Sequence, residues 1–391
     1  MASDIKKDGR INNKYNGKLN IKRNEKGFFP SLPSLNGIRI IAAIFVFFFH
    51  ASLDNVLNPF ANQTIANANA YFFSKSGWMC VSFFFILSGF VMVWSYKPID
   101  NTFNFYKKRL AKIYPVNIFV MFLFIATGVI GINQIDIWLP NALLIQSWIP
   151  NEDNFIGGNT PSWFLCTIVL FYLAFPFLYK VIIKIDPKYL WLSIGILYLI
   201  MIAIQLVVYS STRSSDPIRN WPLDIRELQW WLSYTFPLTR IIEPIIGMLL
   251  SRVIIEGKWF SMSANTGIIL AIIIYFVNVF IPLQFSFNLI TLIPLILLIG
   301  SLAESDLRKQ HSFLQSKPML YLGNISFGFY MIHFLILNLI KEWINGEKYG
   351  FLGASLIILL SLLICMFCGW LLYRFVELPC SKFINTGKWR N

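Results

Sequence analysis

Arg39 and His50 stand inside the first long apolar stretch of the chain, at 35–57. On a helix their spacing turns through roughly 1100°, about 20° past three full turns, and covers ~16 Å of axis. The two therefore share one face, with Arg39 near the cytoplasmic entrance and His50 deep in the span. That arrangement suits an arginine that holds an anionic group at the membrane surface while the reactive end of the same molecule reaches an imidazole. It also suits an arginine snorkelling to headgroups and a histidine satisfied by a neighbouring helix. A second stripe lies in Leu322-Gly-Asn-Ile-Ser-Phe-Gly-Phe-Tyr-Met-Ile-His333. Ser326, Tyr330 and His333 fall at about 0°, 40° and 340° around a helix, a narrow polar line that faces protein or water rather than lipid. Helix packing through Gly323, Ser326 and Gly328 accounts for that line equally well. Arg240 and Glu243 are close enough to pair beside Pro244, either as a self-compensating ion pair or as a substrate contact. Trp138, Trp148, Phe155 and Trp163 lie in 138–163, and Trp221, Trp230 and Trp231 in or beside 210–231. Such rings anchor at the membrane interface, and their flat faces also suit sugar rings.

The elements that must position these residues are membrane helices. The 391 residues are 56% hydrophobic and 17% aromatic but only 13% charged, against roughly 25% charged in a soluble domain. Ten apolar spans are predicted, at 35–57, 76–96, 114–132, 162–182, 189–209, 231–251, 264–281, 287–301, 318–340 and 350–374. The fold expected is an all-α polytopic integral membrane bundle with both termini cytoplasmic. With that topology 25 of the 33 Lys and Arg fall inside, six fall outside, and Arg39 and Arg240 lie within spans, an asymmetry that follows the positive-inside rule. The net charge of +14 thus has a topological use, and no extramembrane domain is long enough to bind nucleic acid. Residues 1–30 read as a disordered basic cytoplasmic tail, 31–380 as the membrane domain and 381–391 as a short cytoplasmic tail. No cleavable signal peptide is expected. Cys365 and Cys368 form a C-x-x-C within the last span, without the further thiol or His that a metal site requires.

Six segments, in order, resemble the integral-membrane acyltransferases of the acyltransferase-3 type, which O-acylate surface polysaccharides and related acceptors. Leu35-Asn-Gly-Ile-Arg39 with His50 resembles that family's R-x10-H motif, and Phe83-Phe-Phe-Ile-Leu-Ser-Gly89-Phe its second-span signature. Arg109-Leu-Ala-Lys112-Ile-Tyr-Pro115 is similar to the basic R-x-x-R segment. Thr239-Arg240 to Gly247-Met, Leu322 to His333 and Tyr373-Arg374-Phe-Val-Glu377-Leu-Pro379 follow the remaining patterns. Four positions depart. Lys112 replaces an arginine and loses its bidentate fork, Asn36 and Ser82 stand where many members carry Asp, and Ile168 occupies the place of a frequent glutamate.

The resemblance implies transfer of an acyl group, acetyl being the expected one, from cytoplasmic acyl-coenzyme A to a hydroxyl of a lipid-linked or exported glycan. The donor would be a substrate rather than a resident cofactor, and no metal is implied. The expected setting is a bacterial cytoplasmic membrane, with membrane lipids as the surrounding partner. Arg39, Arg109 and Lys112 would form a basic mouth for the donor's phosphates. His50 would take the proton of the acceptor hydroxyl or carry the acyl group itself, the general base being favoured. Tyr330, His333 or Arg240 would stabilise the oxyanion or orient the acceptor, with Glu243 and Trp163 as further substrate contacts. His50 and His333 are expected within about 10 Å of each other, both facing one cavity under the 138–163 and 210–231 loops, ~20 Å into the membrane. A glycan or lipid transporter, and an acyltransferase for a small-molecule acceptor, are the competing readings.

Overall fold

The computed structural model describes residues 21, 29–96, 101–218 and 225–386. Apart from Ile21, Phe29 and Pro30, the predicted tail at 1–30 lies outside the described residues, as do Lys97, Arg219, Trp221 and residues 387–391 of the predicted tail at 381–391. Each predicted span carries a helix: α1 (Pro33–Ala51), α2 (Ser76–Ser95), α3 (Thr102–Ala126), α4 (Trp163–Ile182), α5 (Leu190–Ser211), α6 (Ile242–Ile255), α7 (Ala264–Val279), α8 (Leu289–Leu307), α9 (Lys317–Trp343) and α10 (Phe351–Leu372). Among the described residues eight helices have the length and apolarity to cross a bilayer, and the only β-bridges are two isolated ones, Phe60 with Tyr349 and Pro217 with Arg226. The chain is an all-α, multi-pass membrane protein.

The two spans that fall short are α6, with 14 residues, and α7, with 16. Sequence explains the first. A π-turn over Trp231–Thr235 runs into extended Phe236, and a short helix at Pro237–Arg240 precedes α6. Pro237 and Pro244 each lack the amide proton that a continuous helix would use. The predicted span at 231–251 is thus a broken one, and its breaks fall beside Arg240.

Helix α1 lies at the centre, packed on α2, α8 and α9, while α6 packs on α2, α7 on α8 and α10 on α9. Small residues permit the closest approaches. A Cβ on Gly89 would overlap the carbonyl of Pro244, one on Gly247 the carbonyl of Ile86, and one on Gly323 the carbonyl of Asn36. The first two lock α2 against α6, and the third seats α9 under the turn of α1 that carries Arg39. Polar clamps fix the predicted cytoplasmic ends. Asp306, at the end of α8, accepts from the Ser34 amide at 2.9 Å and the Ser34 hydroxyl at 2.6 Å, placing a carboxylate at the start of α1 where the helix dipole favours it. Buried Glu304 accepts from Trp259 Nε1, Ser261 Oγ, the Met262 amide and Arg308 Nε. At the opposite end Lys348 pairs with Asp54 at 3.1 Å, and Lys341 donates to the carbonyls of Asp54 and Asn55.

Overpacking costs roughly 1–3 kcal/mol, and more where backbone stands in the way. Gly247→Val should therefore lower the thermal midpoint of detergent-solubilised protein sharply, or prevent its accumulation. Gly195, whose added Cβ would meet nothing within 4 Å, is the control position, and Gly195→Val should leave the midpoint within a few degrees. Equal effects at both positions would show that the α2–α6 approach is not the tight one.

Candidate active site

Two separate cavities flank the polar stripe of α9. The larger, of about 320 Å³, is lined by Asn36 and Arg39 of α1, Phe84 and Ser88 of α2, Arg109 and Lys112 of α3, Phe164, Ile168 and Tyr172 of α4, and Ser326 and Tyr330 of α9. Its charged residues sit near the predicted inner ends of α1 and α3, and its aromatic residues Phe84, Phe164 and Tyr330 lie deeper. Arg39 Nη1 donates to Asn36 Oδ1 at 3.5 Å, and Asn36 Nδ2 in turn donates to the Leu320 carbonyl and Asn324 Oδ1, each at 3.0 Å. Lys112 lies 3.9 Å from Glu377, which is 6% exposed, whereas Arg109 reaches Ser95 Oγ at 3.4 Å. Three cations thus face one buried carboxylate across this mouth, an excess of positive charge suited to phosphate. The Ser88 and Ser326 hydroxyls are occupied by carbonyls of their own helices.

The second cavity is small, about 20 Å³, and encloses His50 together with Val46, Phe49, Gly77, Trp78, Val81, Ile156, Thr160, Pro161, Trp163, Trp230, Tyr234 and Tyr330. The segments around 152–163 and 227–234 wall it, so the cavity expected under these loops is a small one beside His50 that His333 does not line. Its roof is held by a buried polar network: Ser162 Oγ to Asn141 Oδ1 at 2.7 Å, Gln146 Nε2 to Ser162 Oγ at 2.9 Å, and Cys166 Sγ to Gln146 Oε1 at 3.1 Å.

His50 and His333 are in direct contact, closer than the sequence required. His333 Nε2 lies 3.0 Å from His50 Nδ1. Two carbonyls then fix the protons. The Tyr330 carbonyl, 2.6 Å from His333 Nδ1, can only accept, so that nitrogen carries hydrogen. The Val46 carbonyl, 3.1 Å from His50 Nδ1, requires hydrogen there too. The His50 Nδ1–H can also point at His333 only if His333 Nε2 is bare. In the neutral tautomer that serves these contacts, each ring carries its hydrogen on Nδ1, and His50 Nε2 is then the free nitrogen. His333 itself is fully buried and lines neither cavity. It stands behind His50 rather than beside it.

The remaining sequence candidates divide. Tyr330 lines both cavities, but its hydroxyl donates to the Pro161 carbonyl at 2.9 Å and is thus committed in this conformation. Trp163 is not an exposed sugar platform. It is buried in the chamber wall, 4.6 Å from the Tyr234 ring. Arg240 and Glu243 line neither cavity. They form a fully buried pair at 3.2 Å, with Ser82 Oγ bridging them at 3.2 and 3.4 Å, and the guanidinium lies over Phe85, Tyr234 and Trp163 at 5.2, 5.1 and 5.6 Å. The pair backs the aromatic wall of the chamber. Ser82, where many members of the resembled family carry Asp, is its neutral bridge. Ile168, where many carry glutamate, is an apolar wall of the larger cavity.

Sequence reasoning did not single out Trp78 and Tyr234 in the chamber or Glu377 as the partner of Lys112. Glu377 closes a π-turn over Tyr373–Glu377, and such bulges mark functional sites often enough to be a signal. No spacing rule links it to Lys112. Among the described residues no group of three His, Cys, Asp or Glu could hold a metal ion. A larger apolar recess of about 960 Å³, with Phe45, Met79, Ile268, Tyr275 and Leu298 in its walls, lies on another face of α1 and includes none of these site residues.

Comparison with known proteins identifies the family. The acyltransferase domain family of acyltransferase-3 type matches residues 32–374. Acyltransferase MdmB of Streptomyces mycarofaciens is 30% identical over 372 residues, covering 91% of this chain and 93% of its own. O-acetyltransferase OatA of Staphylococcus aureus is 22% identical over 92% of this chain, which spans 59% of that protein's length. Peptidoglycan O-acetyltransferase OatA of Listeria monocytogenes is 23% identical over 91% of the chain, which spans 57% of its length. No solved structure matches. With the family match spanning nearly all of the described bundle, the chain belongs to the acyltransferase-3 family of membrane acyltransferases.

Proposed function

We propose that this protein transfers a short acyl group, acetyl in the first instance, from cytoplasmic acyl-coenzyme A to a hydroxyl of a lipid-linked or exported glycan in a bacterial cytoplasmic membrane. The observation that supports this reading is the 3.0 Å contact between His50 Nδ1 and His333 Nε2, with His50 lining a small cavity next to the basic one. Names of relatives that specify O-acetyl transfer and peptidoglycan support the acceptor class.

The chemistry is balanced without any other group. As the acceptor oxygen attacks the thioester carbonyl, its proton passes to His50 Nε2. A C–O bond forms, the tetrahedral adduct collapses with cleavage of the C–S bond, and His50 returns the proton to the leaving thiolate. His333 accepts from His50 Nδ1–H throughout, so it holds the ring and supports the positive charge that develops there. Arg39, Arg109 and Lys112 hold the phosphates at the mouth, while the pantetheine arm runs the ~16 Å from Arg39 to His50. A transporter would leave the thioester intact. Release of free coenzyme A thiol that depends on this chain therefore separates the two readings. A small-molecule acceptor would use the same residues and differ only in what the outer side admits.

General base catalysis contributes roughly 10²- to 10⁴-fold in rate, so His50→Ala should lose at least two orders of magnitude in acyl transfer while still inserting in the membrane. Activity within tenfold of the parent would remove His50 from the chemistry. For His333 the discriminating pair is His333→Gln, whose amide oxygen can still accept from His50, and His333→Leu, which cannot. The glutamine variant should keep clearly more kcat than the leucine variant, and equal losses would reduce His333 to packing. Charge-assisted contacts to phosphate govern affinity by roughly 10- to 100-fold, so Arg39→Ala and Arg109→Ala should raise the donor KM by such factors with smaller effects on kcat. Lys112→Arg should bind donor at least as well as the parent. Unchanged donor binding in both alanine variants would overturn the phosphate assignment.

A further inference from the structure

Tyr330 is the single residue common to the linings of the donor-side cavity and the His50 chamber. Its ring completes a triangle with Phe84 and Phe164, the three centroids lying 5.9–6.2 Å from one another, and it is 5% exposed. The two spaces therefore adjoin at Tyr330. Three further contacts give that residue more than a lining role. Its hydroxyl donates to the carbonyl of Pro161, itself a wall of the chamber. Its carbonyl accepts from His333, which holds His50. The residue after it, Met331, presents a carbonyl to Asn159 Nδ2 at 3.1 Å. Tyr330 and Met331 thus fasten the roof segment to α9 at the level of the histidine pair.

We infer that Tyr330 couples donor entry to acceptor access. The inference rests on the proposed donor route, because a thioester held in the larger cavity can meet His50 only if the Tyr330 ring moves aside. Rotation of that ring breaks the bond to Pro161 and releases one of the fastenings of the roof. An empty enzyme therefore keeps His50 shut off from both sides, and the arriving donor arm opens the side from which the hydroxyl must come. Tyr330 is a positioning residue in this scheme. Its hydroxyl acts on the roof and not on the reacting carbonyl.

The test uses the full chain in proteoliposomes with Thr160→Cys as a reporter, since Thr160 is buried in the chamber. Labelling by a membrane-impermeant maleimide is measured with and without a saturating, non-transferable thioether analogue of acetyl-coenzyme A, and is corrected for the five native cysteines by the parent chain. The analogue should raise reporter labelling by roughly threefold to tenfold, the range that one neutral hydrogen bond commands. In the Tyr330→Phe background, which keeps the ring and loses the hydroxyl, labelling should already be high without the analogue. In that background the analogue should add little further labelling, because the hydroxyl bond it breaks in the parent is already absent. Labelling that ignores the analogue in the parent background overturns the coupling, whether or not the phenylalanine variant folds. If the parent consumes acyl-coenzyme A and labelling is unchanged, the coupling alone fails; if the parent binds no acyl-coenzyme A at all, the donor reading fails with it.

Discussion

The 3.0 Å contact between His50 and His333 is the constraint from which the rest of the site follows. It requires α1 and α9 to lie side by side in one register, and the close seat of Gly323 under Asn36 and the Asp306 clamp on Ser34 hold that register. It requires two carbonyls of helical residues to be turned toward ring nitrogens. Both are within a turn of their partners, Val46 four residues before His50 and Tyr330 three before His333. The outcome is an imidazole oriented by a second imidazole instead of a carboxylate. That choice suits a membrane interior, where a buried carboxylate would add an ion to be compensated.

Ions are indeed used sparingly in the bundle, and each is placed where it can be matched. Arg240 and Glu243 neutralise one another behind the chamber, at the break between Pro237 and Pro244, so a pair too costly to leave single is buried as a unit. Removing one member strands the other, at a cost of roughly 3–5 kcal/mol. Among the described residues the three cations of the mouth have one carboxylate partner, Glu377, which pairs with Lys112. The first cluster is a charge-balanced pair in which Arg240 Nε and Nη1 lack hydrogen-bond partners among the described residues and the guanidinium lies over aromatic rings, whereas the second carries an excess of cations that suits an anionic ligand.

Much of this was legible in the sequence. Periodicity gave the helices, and the helical angles of Arg39, His50, Ser326, Tyr330 and His333 placed them on inward faces. Equal counting from the inner ends of two spans was enough to bring His50 and His333 to one depth. Other features were not legible, for identifiable reasons. Which face of α9 meets α1 is decided by tertiary packing, so it could not be read from angles alone that His50 lines a cavity while His333 stands behind it. A chamber roof is built from loops, whose course depends on side-chain networks such as Asn141, Gln146, Ser162 and Cys166 rather than on any period. Tyr330 illustrates the limit: its position on the polar stripe was evident, whereas the hydroxyl's partner, a proline carbonyl 169 residues earlier, was not.

The central claim is that a donor on the cytoplasmic face and an acceptor on the opposite face meet at His50. The direct measurement reconstitutes the protein in one orientation in sealed vesicles, supplies labelled acetyl-coenzyme A only at the face bearing Arg39, Arg109 and Lys112, and supplies the hydroxyl acceptor only at the other. The account predicts labelled ester on the acceptor side with free coenzyme A on the donor side, and no transfer when the two compartments are exchanged. Transfer that occurs only when donor and acceptor share a face would contradict it.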